Sequence, residues 1–405
     1  MPALSWICGE DSVRKLWSLD PTIAFLNHGS YGAVPFSVQK FQSHIRNEIE
    51  KNPVDFLARK LPSKLDEQRV CLGNWLNVEE DSLAFVSNAT AGVGSVLSSM
   101  HWSSDDEIIF HSHGYGWVRQ ALANLSARSG VVIREAKIPW PALSEGDVVS
   151  AFEAEFSEKT RLLICDHISS PTAIIFPVAQ IVASAKKHGI PVLVDGAHAP
   201  GLVPLDVSSI DADFYTGNLH KWFGAPRGSA FLCVKKDFHS VIRPESLSYS
   251  GGVTHHYHDT NFCGYFDWTG TRDYSSWLSV SAALEFNEIL GWNELFKKRK
   301  YLLLEARDLF ELSLGLEDSR LTPESMLSAM CTIEWPLRHG LQASVQLARN
   351  LSEELLNKNK VEVPIFCFGN RLYFRVSAQA YNRIEDYIRL SDAIVAHRFS
   401  AVRKR

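Results

Sequence analysis

The chain has 405 residues, 45% of them apolar and 21% charged, with a formal net charge of -5. That balance fits a soluble globular protein longer than one core usually supports, so a large domain and a smaller one are expected. It argues against a general nucleic-acid surface, which needs Lys and Arg to neutralise phosphates. No run of about 18 apolar residues is present to cross a membrane, and residues 1–11 lack the basic and then apolar character of a secretory leader.

Residues 1–22 read as an arm leading into the apolar Ile23-Ala24-Phe25-Leu26. Short apolar runs then recur at 83–86, 108–110, 131–133, 162–165, 192–194 and 230–234, each the length of a buried strand. Between two of them lies a well-marked helix. Pro177 opens it, Val178, Ile181, Val182 and Ala185 form one face, Lys186 and Lys187 lie in its last turn, and Gly189 follows. Strands alternating with helices predict a mainly parallel sheet covered on both faces. Beyond Leu278 the pattern changes to helical stretches at 282–290 and 295–310, a strand at 370–377 and a closing helix from Ile384. The predicted division is an arm (1–22), a large domain (23–285) and a small C-terminal α+β domain (286–405). Seven scattered cysteines without a Cys-x-x-Cys pair suit reduced thiols in a cytoplasmic protein.

In open α/β sheets, ligands sit outside the carboxyl ends of the strands. After the first run comes Asn88-Ala89-Thr90-Ala91-Gly92, a small-residue turn whose N–H groups and Thr90 hydroxyl suit a phosphate. Later runs lead into Asp166-His167-Ile168-Ser169 and Asp195-Gly196-Ala197-His198, and Asp213-Phe214-Tyr215 leads into Thr216-Gly217-Asn218-Leu219-His220-Lys221. Each feature alone has an ordinary reading: a turn, a helix cap, a structural histidine, a surface lysine. Their order carries the signal. A strand-ending aspartate, a histidine three residues on, and a His-Lys pair beyond the next strand predict one catalytic edge.

With these stretches, and with Leu26-Asn27-His28-Gly29-Ser30-Tyr31-Gly32, Ser170-Pro171-Thr172 and Gly270-Thr271-Arg272-Asp273, the chain resembles the class V aminotransferases among fold-type I pyridoxal-phosphate enzymes. Within them it is most similar to isopenicillin N epimerase-like proteins and related carbon–sulfur lyases. The resemblance runs from about Leu26 to the C-terminus. It implies an aspartate aminotransferase-like fold with a large seven-stranded sheet. It also implies that Lys221 holds pyridoxal 5'-phosphate as a Schiff base and later moves the Cα proton. Asp195 would pair with the pyridinium nitrogen, and His198 would lie near the phenolic oxygen. Ala89, Thr90 and His220 would hold the phosphate, with Asn218 as helper. Tyr115 would stack on the ring, and Asp166 and Ser169 would line the site beneath it. Thr271 resembles a residue that reaches the phosphate of a neighbouring subunit, which implies a homodimer with shared sites.

Asn27, His28 and Tyr31 are expected on the substrate side, with Arg375 as the carboxylate clamp. In Leu372-Tyr373-Phe374-Arg375-Val376-Ser377, Leu372, Phe374 and Val376 alternate onto one strand face and leave Arg375 on the other. A guanidinium offers two parallel donors to a carboxylate.

The expected substrate is an amino acid, and the leading reaction is epimerisation, with Tyr31, His28 or Tyr257 as a second acid/base. The alternative is β-elimination from a cysteine-type thioether or sulfoxide, and transamination is third. A persulfide-forming desulfurase is disfavoured, because Cys331 sits in a strand pattern and Cys263 in a loop, unlike a nucleophile on a mobile segment. Metal is not expected. His111 and His113 alternate, and His255, His256 and His258 cluster, but no carboxylate or cysteine completes a set. Lys297-Lys298-Arg299-Lys300 reads as a solvated helix face, and Phe56, Arg59, Trp117, His255 and Tyr257 are candidates for the pocket wall.

Overall fold

The computed structural model describes residues 5–140, 144–248, 262–316, 322–337 and 340–399. A two-residue strand, β1 (Ala24–Phe25), precedes the large sheet. That sheet is built from β2 (Leu83–Val86), β3 (Glu107–His111), β4 (Val132–Ala136), β5 (Thr160–Asp166), β6 (Val192–Asp195), β7 (Phe214–Asn218) and β8 (Ala230–Val234), in the order β2-β8-β7-β6-β5-β3-β4. The five strands from β7 to β4 are parallel, whereas β8 is antiparallel to both its neighbours. Only β8 is therefore reversed. The carboxyl ends of the other six strands lie along one edge, as the alternation of strand and helix predicted.

Apolar side chains alternate between two cores across this sheet. Leu83, Phe85, Ile109, Leu163 and Cys165 enter one, and Ala84, Val86, Ile108, Leu162 and Ile164 the other. Successive strand residues point to opposite faces, so both faces must be covered, and both are. The helix Val178–Lys187 covers one of them, with Gly189 in the left-handed region (φ +67°) just past its end.

The C-terminal part builds a second layer. Here β9 (Met330–Glu334), β11 (Ile365–Phe368) and β12 (Arg371–Ser377) form an antiparallel sheet in the order β11-β12-β9, while β10 (Val361–Glu362) pairs in parallel with β1. The third core joins Leu372, Phe374 and Val376 of β12 to the helices Trp292–Leu314 and Ile384–Phe399, and takes in Ala24 and Leu26. The segment after β1 is thereby held between the two sheets. Cys263 is buried in a short helix, Phe262–Asp267, not in a loop. The basic run is only partly a solvated face. Lys298 pairs with Glu294, but Arg299 is fully buried and donates to the carbonyls of Leu295 and Gly201, because its side chain points under the turn that follows β6.

Candidate active site

Asp166 and Asp195 end adjacent parallel strands and stand opposite each other in register. The helix Ala89–Ser99 starts just beyond β2, where the Asn88 side chain accepts from the Ala91 N–H. Asn218, the last residue of β7, accepts from the Ala89 N–H at 2.8 Å and ties the helix start to the next strand end. Helix and strand approach closely at Gly92, where a Cβ would lie 2.2 Å from Thr216 Oγ1. Asn88, Ala89, Thr90, Asp166, Asp195 and Asn218, with Tyr115 at the start of the helix Gly116–Ser129, surround a cavity of about 140 Å³. Ser30, Tyr31, Ser170, His198, His220 and Lys221 complete its titratable and polar wall.

Lys221 Nζ lies 3.3 Å from His198 Nε2. Burial, then the charge of Arg375, lowers its amine to about 7, against the opposing pull of Asp195 and Asp166. A lysine so placed is substantially unprotonated near neutrality and is a competent nucleophile or base. His198 is held well below its ordinary range by burial and by the charges of Lys221 and Arg375, and its buried Nδ1 has no partner. Asp195 accepts the Ala197 N–H at 3.0 Å; burial and then Asp166 push its carboxyl up to about 7. Burial lifts Asp166 to about 8. His220 is neutral, lowered to about 4 by burial, and its Nδ1 lies 3.1 Å from the Ser229 carbonyl. That nitrogen carries the ring proton, which leaves Nε2 as an acceptor.

Across the cavity the arrangement differs. Arg375 Nη1 donates to the carbonyl of Ser170 and to its hydroxyl (3.1 Å), and Nη2 lies 3.5 Å from Ser30 Oγ. Its Nε is buried without a partner, and no carboxylate pairs with it among the described residues. Burial lowers this guanidinium to about 10, which leaves it charged at neutral pH. Ser30 donates to Asn27 Oδ1, and Asn27 in turn donates to Glu362. Gly32, at φ +70°, brings this segment against the lysine-bearing turn; a Cβ there would lie 2.3 Å from the His220 carbonyl.

Of the residues singled out from sequence, Tyr31, Ala89, Thr90, Tyr115, Asp166, Asp195, His198, Asn218, His220 and Lys221 share the cavity. Arg375 borders it through Ser30 and Ser170. Four do not line it. Ser169 is buried, donates to the His113 carbonyl and accepts from the Thr172 hydroxyl, because the chain turns there and presents Ser170 instead. His28 is buried with both ring nitrogens engaged, Nδ1 with the Tyr381 hydroxyl (2.8 Å) and Nε2 with the Lys221 carbonyl and Gln379. It supports the lysine turn from behind. Asn27 holds Ser30, and Thr271 is exposed outside the cavity.

Phe56 belongs to the core, Arg59 pairs with Asp55, and Trp117 is exposed; none of them lines the cavity. His255, His256, Tyr257 and His258 lie outside the described residues. Sequence reasoning missed Ser30 and Ser170, although each adjoins a residue it singled out. It also missed that His111 meets Asp166. Among the described residues no cluster of histidine, cysteine and carboxylate groups is placed to hold a metal ion, and no helix is long and apolar enough to cross a membrane.

A family model, aminotransferase class-V, matches residues 36–348. The chain is 29% identical over 412 aligned residues to isopenicillin N epimerase of Amycolatopsis lactamdurans, covering 97% of this chain and 99% of that protein. It is 30% identical to a probable chloroplastic L-cysteine desulfhydrase of Arabidopsis thaliana, covering 93% and 83% of the two chains. Among solved structures, it is similar to the cystine C–S lyase C-DES in complex with its reaction product cysteine persulfide. That match has a TM-score of 0.76 at 20% identity and covers 93% and 98% of the two chains.

Proposed function

Because the chain belongs to the class-V aminotransferase family, we propose that it is a pyridoxal-phosphate-dependent enzyme that removes the Cα proton of an amino acid, as an epimerase of the isopenicillin N epimerase type. The observation that carries this reading is the buried Lys221 amine, lowered to about 7 and facing His198 beside two strand-end carboxyls. The cavity residues fit the cofactor. Asp195 offers a carboxylate for a ring nitrogen, and the buried His198 a neutral imidazole near a phenolic oxygen. Thr90 and the helix start offer donors to a phosphate, and Tyr115 an aromatic face. When bound, pyridoxal phosphate supplies a carbonyl that condenses with amines and a ring that takes up electrons from Cα.

The chain's own residues do the rest. Lys221 accepts the Cα proton. Arg375, without a carboxylate of its own, binds the substrate carboxylate and fixes which Cα bond is presented. Tyr31, on the cavity wall and 71% exposed, is the proposed second acid/base for inversion. Thr271, exposed outside its own cavity, is proposed to reach the site of a second copy in a homodimer. Seven unpaired cysteines support a reducing compartment such as the cytoplasm.

A second reading is β-elimination from a cysteine-type thioether or sulfoxide. It needs one base, and among the described wall residues Lys221 is the only amine. The relatives include a probable cysteine desulfhydrase as well as an epimerase. A protein persulfide is not invoked: Cys331 and Cys263 are buried, and their thiols are pushed up to about 12.

Turnover in deuterium oxide tests the readings. Solvent deuterium at Cα with inverted configuration and no keto acid supports epimerisation. Keto acid and ammonia without D-configured product support elimination instead. No deuterium at Cα of any amino acid offered, together with no keto acid, would overturn both.

A further inference from the structure

Asp166 and His111 meet in a contact that constrains where the protons lie. The Asp166 backbone N–H donates to His111 Nε2 at 3.2 Å. The same Nε2 stands 3.2 Å from Asp166 Oδ1. A ring nitrogen that accepts from an amide carries no proton of its own. It then has nothing to offer an ionised carboxylate, and two lone pairs would face each other. The contact becomes attractive when the carboxyl holds the proton and donates it, with Nε2 shared between two donors in a three-centre arrangement.

The other protonation states fit worse. A proton on Nε2 would satisfy an ionised carboxylate but point at the amide N–H that now donates to it. An imidazolium would do the same and would also bury a charge. His111 is fully buried among the rings of Phe110, Phe152 and Phe176, at 4.9, 5.7 and 5.0 Å between centroids, and its Nδ1 has no partner. A charged ring there would have no counter-hydrogen-bond on its second nitrogen. A neutral ring with its proton on Nδ1 faces only aromatic neighbours, which compensate weakly but at lower cost.

We propose that His111 is a positioning residue that keeps Asp166 as a neutral acid in the cavity wall, leaving Asp195 as the one carboxylate of the adjoining pair that ionises. The surroundings agree. Asp195 on β6 disfavours a second negative charge, while Lys221 and the Ser170 N–H pull the other way, and burial prevails. Both carboxyls ionised would place two negative charges on adjacent strand ends with only Lys221 close by. One ionised carboxyl leaves a single anion for a protonated ring nitrogen. That last role rests on the proposed function; the protonation state itself does not.

The test is isotope-edited infrared spectroscopy of the full chain with ¹³C-labelled aspartate, with and without pyridoxal phosphate, at about pH 7. A protonated-carboxyl carbonyl band is expected in both samples, lost in Asp166→Asn and kept in Asp195→Asn. Spectra of ¹⁵N-histidine-labelled protein should show, besides His220, a ring locked with its proton on Nδ1 whose signal is missing in His111→Phe. Absence of the band, or a His111 proton on Nε2, overturns the proposal. Should Asp166→Asn not fold, the wild-type band must disappear in a one-proton step as the pH is raised, and persistence of an ionised carboxylate throughout overturns it equally. Because the band is read without cofactor, a band present in a protein that fails to bind pyridoxal phosphate would refute the functional reading and leave the Asp166 state standing.

Discussion

The two sides of the cavity are built differently. On one side, Asp166, Asp195, Asn218 and Lys221 come from the ends of three adjacent strands, within 56 positions of one another by residue number (166 to 221). Their charges and hydrogen bonds regulate each other: burial lowers Lys221, and the Asp195 carboxylate restrains it. On the other side, Arg375 on β12 is steadied by Ser30 and Ser170, far apart in sequence, and keeps a buried nitrogen unpartnered. The first side is a mutually dependent set; the second is a single cation held ready for an anion. Substitutions should therefore act nearly all-or-none on the first side and by degrees on the second.

The largest expected effect is at Lys221. Lys221→Ala should abolish the visible absorbance that pyridoxal phosphate acquires on binding the enzyme, and lower turnover by about 10⁴-fold or more. Visible spectra and steady-state rates check this together. Retention of an absorbance like that of the wild type would break the comparison at its root.

The second effect is the pH dependence of stability, and it belongs mostly to the lysine side. His28 and His111 are lowered to about 3, and His167 and His220 to about 4, each chiefly by burial, and His198 is also strongly lowered. In this range the unfolded chain binds protons that the folded chain refuses. Each such histidine thus contributes stability above about pH 6.5 that is lost as the pH falls toward its folded value. Asp166 and Asp195, raised to about 8 and about 7, act in the opposite sense: their contribution is full below the unfolded carboxyl range and lost as the pH rises through those values. The histidines are more numerous, so urea midpoints should fall steadily from pH 6.5 to 4. A flat profile there would show that the imidazoles are not held neutral.

This contrast also explains what could be read from the sequence. The strand ends were legible because each motif follows its own strand directly, and a parallel sheet brings such ends to one edge whatever the details of packing. The order of the motifs was enough to bring Lys221, Asp195 and His198 to that edge, while the resemblance supplied the roles expected of them. Ser30 and Ser170 were not legible as partners of Arg375, because their meeting depends on how β12 docks against the turn after β5 and on Gly32 bringing the N-terminal segment in. The exchange of Ser169 for Ser170 has the same origin. Ala173 adopts φ +59°, a rare backbone for a non-glycine residue, and no periodicity announces a turn of that kind. His28 was misjudged for a related reason: only the fold reveals that Tyr381 and Gln379 occupy its ring.

On the Arg375 side the first test is Arg375→Lys. The charge survives, but the fork that bonds Ser170 and Ser30 and leaves Nε free does not. A charge-assisted hydrogen bond contributes about 1.5–3 kcal/mol, so KM for the amino acid should rise by about 10- to 100-fold while the cofactor spectrum stays unchanged. A spectrum that shifts as strongly as KM would show that the two sides are coupled after all.

The smallest effect sharpens the comparison most. Ser30 donates to Asn27 and stands beside Arg375 Nη2, so it steadies the guanidinium without meeting Lys221. Ser30→Ala removes one neutral hydrogen-bonding group whose loss costs about 0.5–1.5 kcal/mol. The expected result is a rise in KM of about 3- to 10-fold, with the pH at which Lys221 titrates unmoved, because the charge on Arg375 and the burial that lower it both remain. Paired with Arg375→Lys, the double variant should lose less than the product of the two single effects, since the serine matters only through the guanidinium fork it supports. Independent effects would instead mean that Ser30 touches the substrate directly, and that this side of the cavity holds two recognition groups rather than one.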